Sequence, residues 1–135
     1  MTRRGFTLTE ILITVVIIGI IAAIAIPNYR KVMEKQRLRS SEDILKSIYY
    51  GEQAYAAANT NLFKAVGTNW SDIYMEDPNV GGIGATFAVT TAAGNTTFTA
   101  TATRGGGPCN ANTRTVTQTG LGGIAGTWPA CANTL

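Results

Sequence analysis

The apolar residues of this chain are concentrated in one uninterrupted run near its N-terminus. Residues 11–26 carry no charge and consist mainly of isoleucine, valine and alanine. As an α-helix rising ~1.5 Å per residue, residues 6–26 would extend about 30 Å, which matches the hydrocarbon thickness of a bilayer. The pattern predicts a membrane-spanning helix over residues 6–27.

A second pattern follows the apolar run. Over residues 28–60, apolar side chains recur at helical spacing and charged ones occupy other positions, so an amphipathic helix is predicted. It would continue the apolar helix and stop near Asn59-Thr60-Asn61. The expected inner face is Ile44, Leu45, Ile48, Ala54 and Tyr55, and the expected outer positions include Glu42, Asp43, Lys46 and Glu52.

The remainder of the chain, residues 61–135, is predicted to form a globular head. Residues 61–85 read as an irregular connection, and residues 86–91 and 98–103 alternate as in a β-hairpin. A third strand is expected over residues 114–119, followed by a glycine-rich loop. The residues predicted to face the helix are Phe87, Val89, Phe98, Ala100 and Ala102, and Trp70 and Trp128 are expected to fill the core or plug loops.

The fold class predicted from these patterns is α+β. One long helix would be membrane-spanning in its first half and amphipathic in its second half. The amphipathic half would pack on a small antiparallel sheet, because an apolar stripe must be covered.

Cys109 and Cys131 are the only cysteines. In an exported protein such a pair usually forms a disulfide, and a loop of this size would stabilise the fold by roughly 3 kcal/mol in the chain-entropy model. The chain has no histidine and no CxxC spacing, so a metal site or a redox pair is disfavoured.

Enzymatic chemistry is not expected either. Without histidine, the commonest general acid–base is missing, and no glycine-rich loop stands between a strand and a helix. The sequence therefore predicts neither a catalytic residue, a metal site nor a cofactor.

The net charge of +3 is weak support for a nucleic-acid partner. The cluster Arg30, Lys31, Lys35, Arg37 and Arg39 is interpreted as a solvated or headgroup-facing helix surface. Arg104 and Arg114 make DNA binding by the head possible but not favoured.

Glu10 stands at the start of the apolar run, where a carboxylate costs a few kcal/mol and is usually functional. A secretory signal peptide cleaved after Ala25 and a plain membrane anchor are both compatible with the apolar run. Neither explains Glu10, nor why helical sequence continues beyond Pro27.

The N-terminus resembles that of the type IV pilins and pseudopilins. The residues that carry the resemblance are Arg4-Gly5-Phe6-Thr7-Leu8-Thr9-Glu10, then a long Ile/Val/Ala run with Gly19, Pro27 and Tyr29. The match covers residues 3–30. One departure is Thr9, where the family usually has an aliphatic residue.

The resemblance implies a class III signal peptide, with residues 1–5 as the leader. A prepilin peptidase would cut between Gly5 and Phe6, and Phe6 would become the N-methylated N-terminus. It also implies that Glu10 meets the Phe6 amine of a neighbouring subunit during filament growth. Gly19 and Pro27 would kink or loosen the helix.

The function implied is that of a structural subunit of a type IV pilus-like filament serving adhesion, motility or DNA uptake. Its expected partners are copies of itself, other pilins, the prepilin peptidase and the inner-membrane assembly machinery. The precursor would lie in the inner membrane through residues 6–27 with its N-terminus in the cytoplasm, and the assembled pilus outside the cell. A pseudopilin of a type II secretion system is the alternative.

Overall fold

The two helical patterns form one continuous helix, as predicted. The computed structural model describes residues 5–67, 69–117, 120–125 and 130–131. In it α1 extends over Leu8–Ala58 and contains Pro27. The helix ends where Thr60 and Asn61 adopt positive φ, and the Asn61 amide donates to the Ala56 carbonyl at 2.8 Å. That bond satisfies a carbonyl left open at the helix end.

The chain divides into two compact units, of which the first ends at Met33 and the second begins at Glu34. In the first unit nearly every described side chain is exposed. The second unit includes the second half of α1 as well as the predicted globular head, and from here on the whole unit is called the head. It contains the buried core.

The head has a four-stranded antiparallel sheet with the strands in chain order. The strands are β1 (Ala85–Thr91), β2 (Phe98–Arg104), β3 (Thr113–Thr117) and β4 (Gly120–Ala125). β1 and β2 form the predicted hairpin, and Ala100 of β2 lies opposite Val116 of β3. The third strand is confirmed over its described residues, whereas residues 118–119 at its predicted end lie outside them.

One part of the sheet prediction was wrong. The glycine-rich segment after β3 is not simply a loop, because Gly120–Ala125 pairs with β3 as a fourth strand, with a register shift between Thr115 and Thr117. Glycine weakens strand signals, since it has no side chain to alternate between faces.

The core lies between the sheet and α1. All five strand residues predicted to face the helix are buried. Leu45 and Ile48 of the helix are fully buried, as predicted, and Ile44 and Tyr55 pack at the edge of the core. Ala54 is exposed, contrary to prediction, and Ala56 is buried instead. The buried helix positions, spaced three or four residues apart, are Glu34, Leu38, Ser41, Leu45, Ile48, Glu52 and Ala56.

The connection between α1 and β1 carries a short 3-10 helix over Trp70–Ile73. Trp70 and Ile73 are buried, so Trp70 fills the core as predicted, while Trp128 lies outside the described residues. The connection also covers the outer edge of β1. Val66 forms a bridge with Val89, and the Asn79 side chain bonds both the amide and the carbonyl of Phe87.

The predicted disulfide is present. Cys109 and Cys131 are bonded, with their Cα atoms 5.8 Å apart. Cys109 is completely buried in the core, and Cys131 packs against it.

Candidate functional site

The start of α1 is organised around Glu10. The Thr7 amide and the Thr7 hydroxyl both donate to Glu10 Oε2, at 3.0 and 3.1 Å, and the Glu10 amide donates to Thr7 Oγ1 at 3.2 Å. This reciprocal arrangement is a capping box, which satisfies amides that the first helical turn leaves open. The sequence interpretation had not anticipated it, although the spacing Thr-x-x-Glu is its usual signal. Both bonds to the carboxylate use Oε2, and no described residue donates to Oε1.

Gly5 and Phe6 precede the helix and are exposed. Neither belongs to a helix or strand, and Phe6 exposes 81% of its surface. The peptide bond between them is therefore reachable from solvent in the structure.

The first unit presents an unusually apolar surface. Large aliphatic side chains from Leu8 to Ile26 expose half or more of their area. The helix is long and apolar enough to cross a membrane, by length and composition alone. Gly19 meets no neighbouring atom, and an added Cβ there would stand in open space. An exposed apolar surface of this extent marks a lipid or protein contact.

The head begins with a buried ion pair that the sequence interpretation missed. Arg104 Nε and Nη2 donate to Glu34 Oε1 and Oε2 at 2.8 and 2.9 Å, and both side chains are at most 3% exposed. Arg104 Nη1 donates to the carbonyls of Gly84 and Gly105. Gly84 and Gly107 have positive φ, and a Cβ at either position would press on this pair.

The pKa of Glu34 lies below its usual range, chiefly because Arg104 donates hydrogen bonds to the carboxylate. The positive charges of Arg104 and Arg37 and the amide of Cys109 act in the same direction, while burial opposes them. The pair therefore joins α1 to the end of β2 and to the first cysteine of the disulfide. Two signals in the sequence could have indicated it: Glu34 lies on the apolar stripe of the helix, and Arg104 occupies an inward position of β2.

Glu52 also differs from its predicted outward position, because it is completely buried. The Lys64 amide donates to Glu52 Oε2 at 3.0 Å, whereas Oε1 has no partner among the described residues. Burial raises the pKa of Glu52, opposed by the Lys64 hydrogen bond.

The two arginines considered for nucleic-acid binding are engaged elsewhere. Arg104 is buried in its pair with Glu34, and Arg114 pairs with Glu42 at 3.1 Å. No group of three potential metal-ligating His, Cys, Asp or Glu side chains occurs among the described residues.

The chain has an exposed apolar helix with one carboxylate at its start, and a disulfide-bonded α+β head follows. This combination is that of the pilin-like class of structural subunits. A sequence profile described as "Prokaryotic N-terminal methylation motif" matches residues 1–26.

Two curated relatives extend the similarity beyond this motif. The chain is 34% identical over 106 residues to the "Type IV major fimbrial protein FimA" of Dichelobacter nodosus, covering 69% of this chain and 68% of the relative. It is 44% identical over 53 residues to the "Type IV major pilin protein PilA" of Myxococcus xanthus (strain DK1622), covering 39% of this chain but only 24% of that protein. No solved structure is significantly similar. The chain belongs to the type IV pilin family.

Proposed function

We propose that this chain is the subunit of a type IV pilus-like filament, polymerised through α1 after cleavage between Gly5 and Phe6 and N-methylation of Phe6. The observation that carries the proposal is the bare apolar surface of residues 8–26 with one carboxylate at its start, in a chain of the pilin family. Such a surface is stable only when covered by lipid or by other subunits. Lipid would cover this surface in the precursor, and other subunits would cover it in the filament.

The exposed, non-helical peptide bond between Gly5 and Phe6 suits a protease that acts on the chain before the helix begins. Cleavage there leaves Thr7 and Glu10 in the mature chain, so the capping box survives processing. It also creates a cationic amine at Phe6.

Glu10 is proposed to pair with the Phe6 amine of an adjacent subunit. In an apolar helical bundle an unpaired carboxylate is costly, and an opposite charge recovers much of that cost. Thr7 occupies Oε2, so Oε1 is the oxygen that would accept from the amine. Because the pairing needs one axial stagger between helices, it would select that stagger during assembly.

The disulfide supports an oxidising compartment for the head. We therefore place the precursor in the inner membrane with its N-terminus in the cytoplasm, and the polymer outside the cell. Prepilin peptidase and the inner-membrane assembly machinery would be its partners before polymerisation.

The test separates assembly from capping. In cells that process and assemble the full chain, Glu10→Gln is expected to lower the yield of sheared surface filaments by about tenfold or more, because the amine loses its charged partner. The processed protein should remain in the membrane fraction. Thr7→Ala is the matched control, since it weakens the same capping box while retaining the carboxylate.

Normal filament yield from Glu10→Gln would contradict the pairing. Glutamine also serves at this position of a capping box, so Glu10→Gln removes the charge and keeps most of the cap. An equal loss from Thr7→Ala, which retains the charge, would contradict a role specific to the charged pair. Mass spectrometry of the mature wild-type protein tests processing independently: it should begin at methylated Phe6, and a product beginning at Ile26 would overturn the proposal.

A further inference from the structure

Eight of the fourteen charged side chains of the head form ion pairs within the chain. Four ion pairs join Glu34 to Arg104, Glu42 to Arg114, Asp43 to Lys46 and Asp72 to Lys64. Every acidic residue of the sequence lies in the described part. After these pairs, Glu10 belongs to the helix cap and Glu52 is buried, so the two remaining acidic residues are Glu76 and Asp77.

Glu76 and Asp77 are exposed on the connection between α1 and β1. Asp77 Oδ1 accepts from the Asn79 amide at 2.9 Å, which holds its side chain in a turn. Just before them, Tyr74 adopts a left-handed conformation and is 69% exposed. Non-glycine residues rarely adopt this conformation, and the bonds that the Tyr74 and Met75 amides make to the Ser71 and Trp70 carbonyls hold the turn in place. The acidic pair is therefore displayed on a defined turn.

The unpaired cations of the head lie on α1. Lys35, Arg37 and Arg39 are exposed, and none forms an ion pair within the described part of the chain. Glu34, the acidic residue among them, is turned inward to Arg104. Lys35 and Arg39 are four residues apart, so they share one face of the helix, and Arg37 lies on another.

Like charges four residues apart destabilise a helix slightly. Eight charged side chains of the head are paired, whereas Lys35, Arg37 and Arg39 on the helix and Glu76 and Asp77 on the turn are exposed and form no ion pair among the described residues. Lys35 and Arg39 on one helix face and the two consecutive anions on a fixed turn are complementary in sign. Complementary charges of this kind steer and orient association.

We infer that Lys35 and Arg39 of one subunit bind Glu76 and Asp77 of a second copy of this chain. The inference rests on the proposed filament and specifies a head-to-head contact within it. A second copy fits better than a lipid surface because these cations belong to the compact head, while Arg30 and Lys31 stand closer to the apolar run and suit headgroups. The contact would orient heads while the apolar helices supply cohesion.

Charge exchange tests the contact in cells that assemble filaments from the full chain. Glu76→Lys with Asp77→Lys is expected to lower sheared filament yield by about tenfold, because four cations then face one another. Adding Lys35→Glu and Arg39→Glu should restore most of the yield, since the signs are exchanged but complementary. Arg37→Glu is the control: it reverses one cation on another face of the same helix and should leave the acidic double variant unrescued.

Each outcome bears on a different claim. The contact would be overturned if the variant with Glu76→Lys and Asp77→Lys gave as many filaments as wild type. It would also be overturned if the exchanged charges did not restore the filament yield although every variant is processed and disulfide-bonded. The variant with only Lys35→Glu and Arg39→Glu could also lose filament yield while less anionic lipid co-purifies with its precursor. If the acidic substitutions did not alter that loss, the cations would be assigned to lipid, and the proposed contact between subunits would be overturned. Failure of the wild type to form filaments, or unimpaired assembly of Glu10→Gln, would instead contradict the proposed function.

Discussion

Glu34 and Glu52 are both carboxylates on the buried face of α1, yet their surroundings favour opposite protonation states. Arg104 holds Glu34 ionised, whereas Glu52 has one amide donor and no cation. Burial without a compensating charge favours the neutral acid. The two residues therefore make the stability of the head depend on pH in opposite directions.

At Glu52 the folded-state pKa is above the ordinary value of 4.5. Its contribution to stability is complete below that value and is lost as pH rises through the folded pKa. Glu52→Gln should therefore unfold at a higher temperature than wild type at pH 8, by a few degrees, corresponding to about 1 kcal/mol. At pH 4 the two proteins should differ little.

Thermal unfolding of the full chain in detergent, monitored by near-ultraviolet circular dichroism, would measure this difference in unfolding temperature. Glu76→Gln is the control, because its carboxylate is exposed. If Glu52→Gln were less stable than wild type at pH 8, the buried carboxylate would have to be ionised and stabilising.

At the scale of elements, Gly51 explains how the connection packs on the helix. A glycine within a helix costs up to about 1 kcal/mol relative to alanine, so the sequence alone marks Gly51 as unfavourable. In the structure, a Cβ at this position would lie 2.6 Å from the Ile73 carbonyl oxygen. The missing side chain lets the Trp70–Ile73 turn approach α1.

Gly51→Ala should therefore destabilise the head by about 1–3 kcal/mol, although it improves helix propensity, because backbone atoms must move apart. Chemical denaturation of the full chain in detergent would measure the loss. Gly19→Ala is the matched control in the same helix, since its new Cβ meets no atom. A more stable Gly51→Ala protein would mean that Ile73 does not approach the helix this closely.

At the scale of the whole molecule, the Glu34–Arg104 pair joins parts of the chain that are 70 residues apart. It connects α1, the end of β2 and, through the Cys109 amide, the start of the disulfide-bonded segment. Removing one partner of a buried pair leaves an uncompensated charge, which is more damaging than losing both.

Glu34→Gln and Arg104→Met should each lower the free energy of unfolding by about 3–5 kcal/mol, and the double variant by less than the sum. Because the pKa of Glu34 is lowered, the pair's contribution is present above the ordinary value of 4.5 and is lost as pH falls through the folded pKa. Unfolding of wild type should thus be more acid-sensitive than that of Glu34→Gln.

The more exposed pair of Glu42 and Arg114 provides the control. Glu42→Gln and Arg114→Met should each cost about 1 kcal/mol or less. Equal effects at the two pairs, or additive effects at Glu34 and Arg104, would contradict a structural role specific to the buried pair.

Several features of the molecule were predictable from local sequence. The apolar run, the helix end near Asn59, the hairpin of β1 and β2 and the inward strand residues all follow from periodicity, which reports which face a residue occupies. The disulfide followed from the cysteine count together with the expectation of export. The family was indicated by the spacing of Gly5, Phe6, Glu10 and Pro27.

The tertiary structure decided which charges are buried and what approaches them. Periodicity led to an outward prediction for Glu52, which is buried. It also cannot say whether a cation or only an amide meets a buried carboxylate such as Glu34 or Glu52. It also cannot predict that Gly51 admits a backbone turn, or that a glycine-rich segment completes the sheet. These outcomes depend on contacts between residues distant in sequence, and no local pattern specifies them.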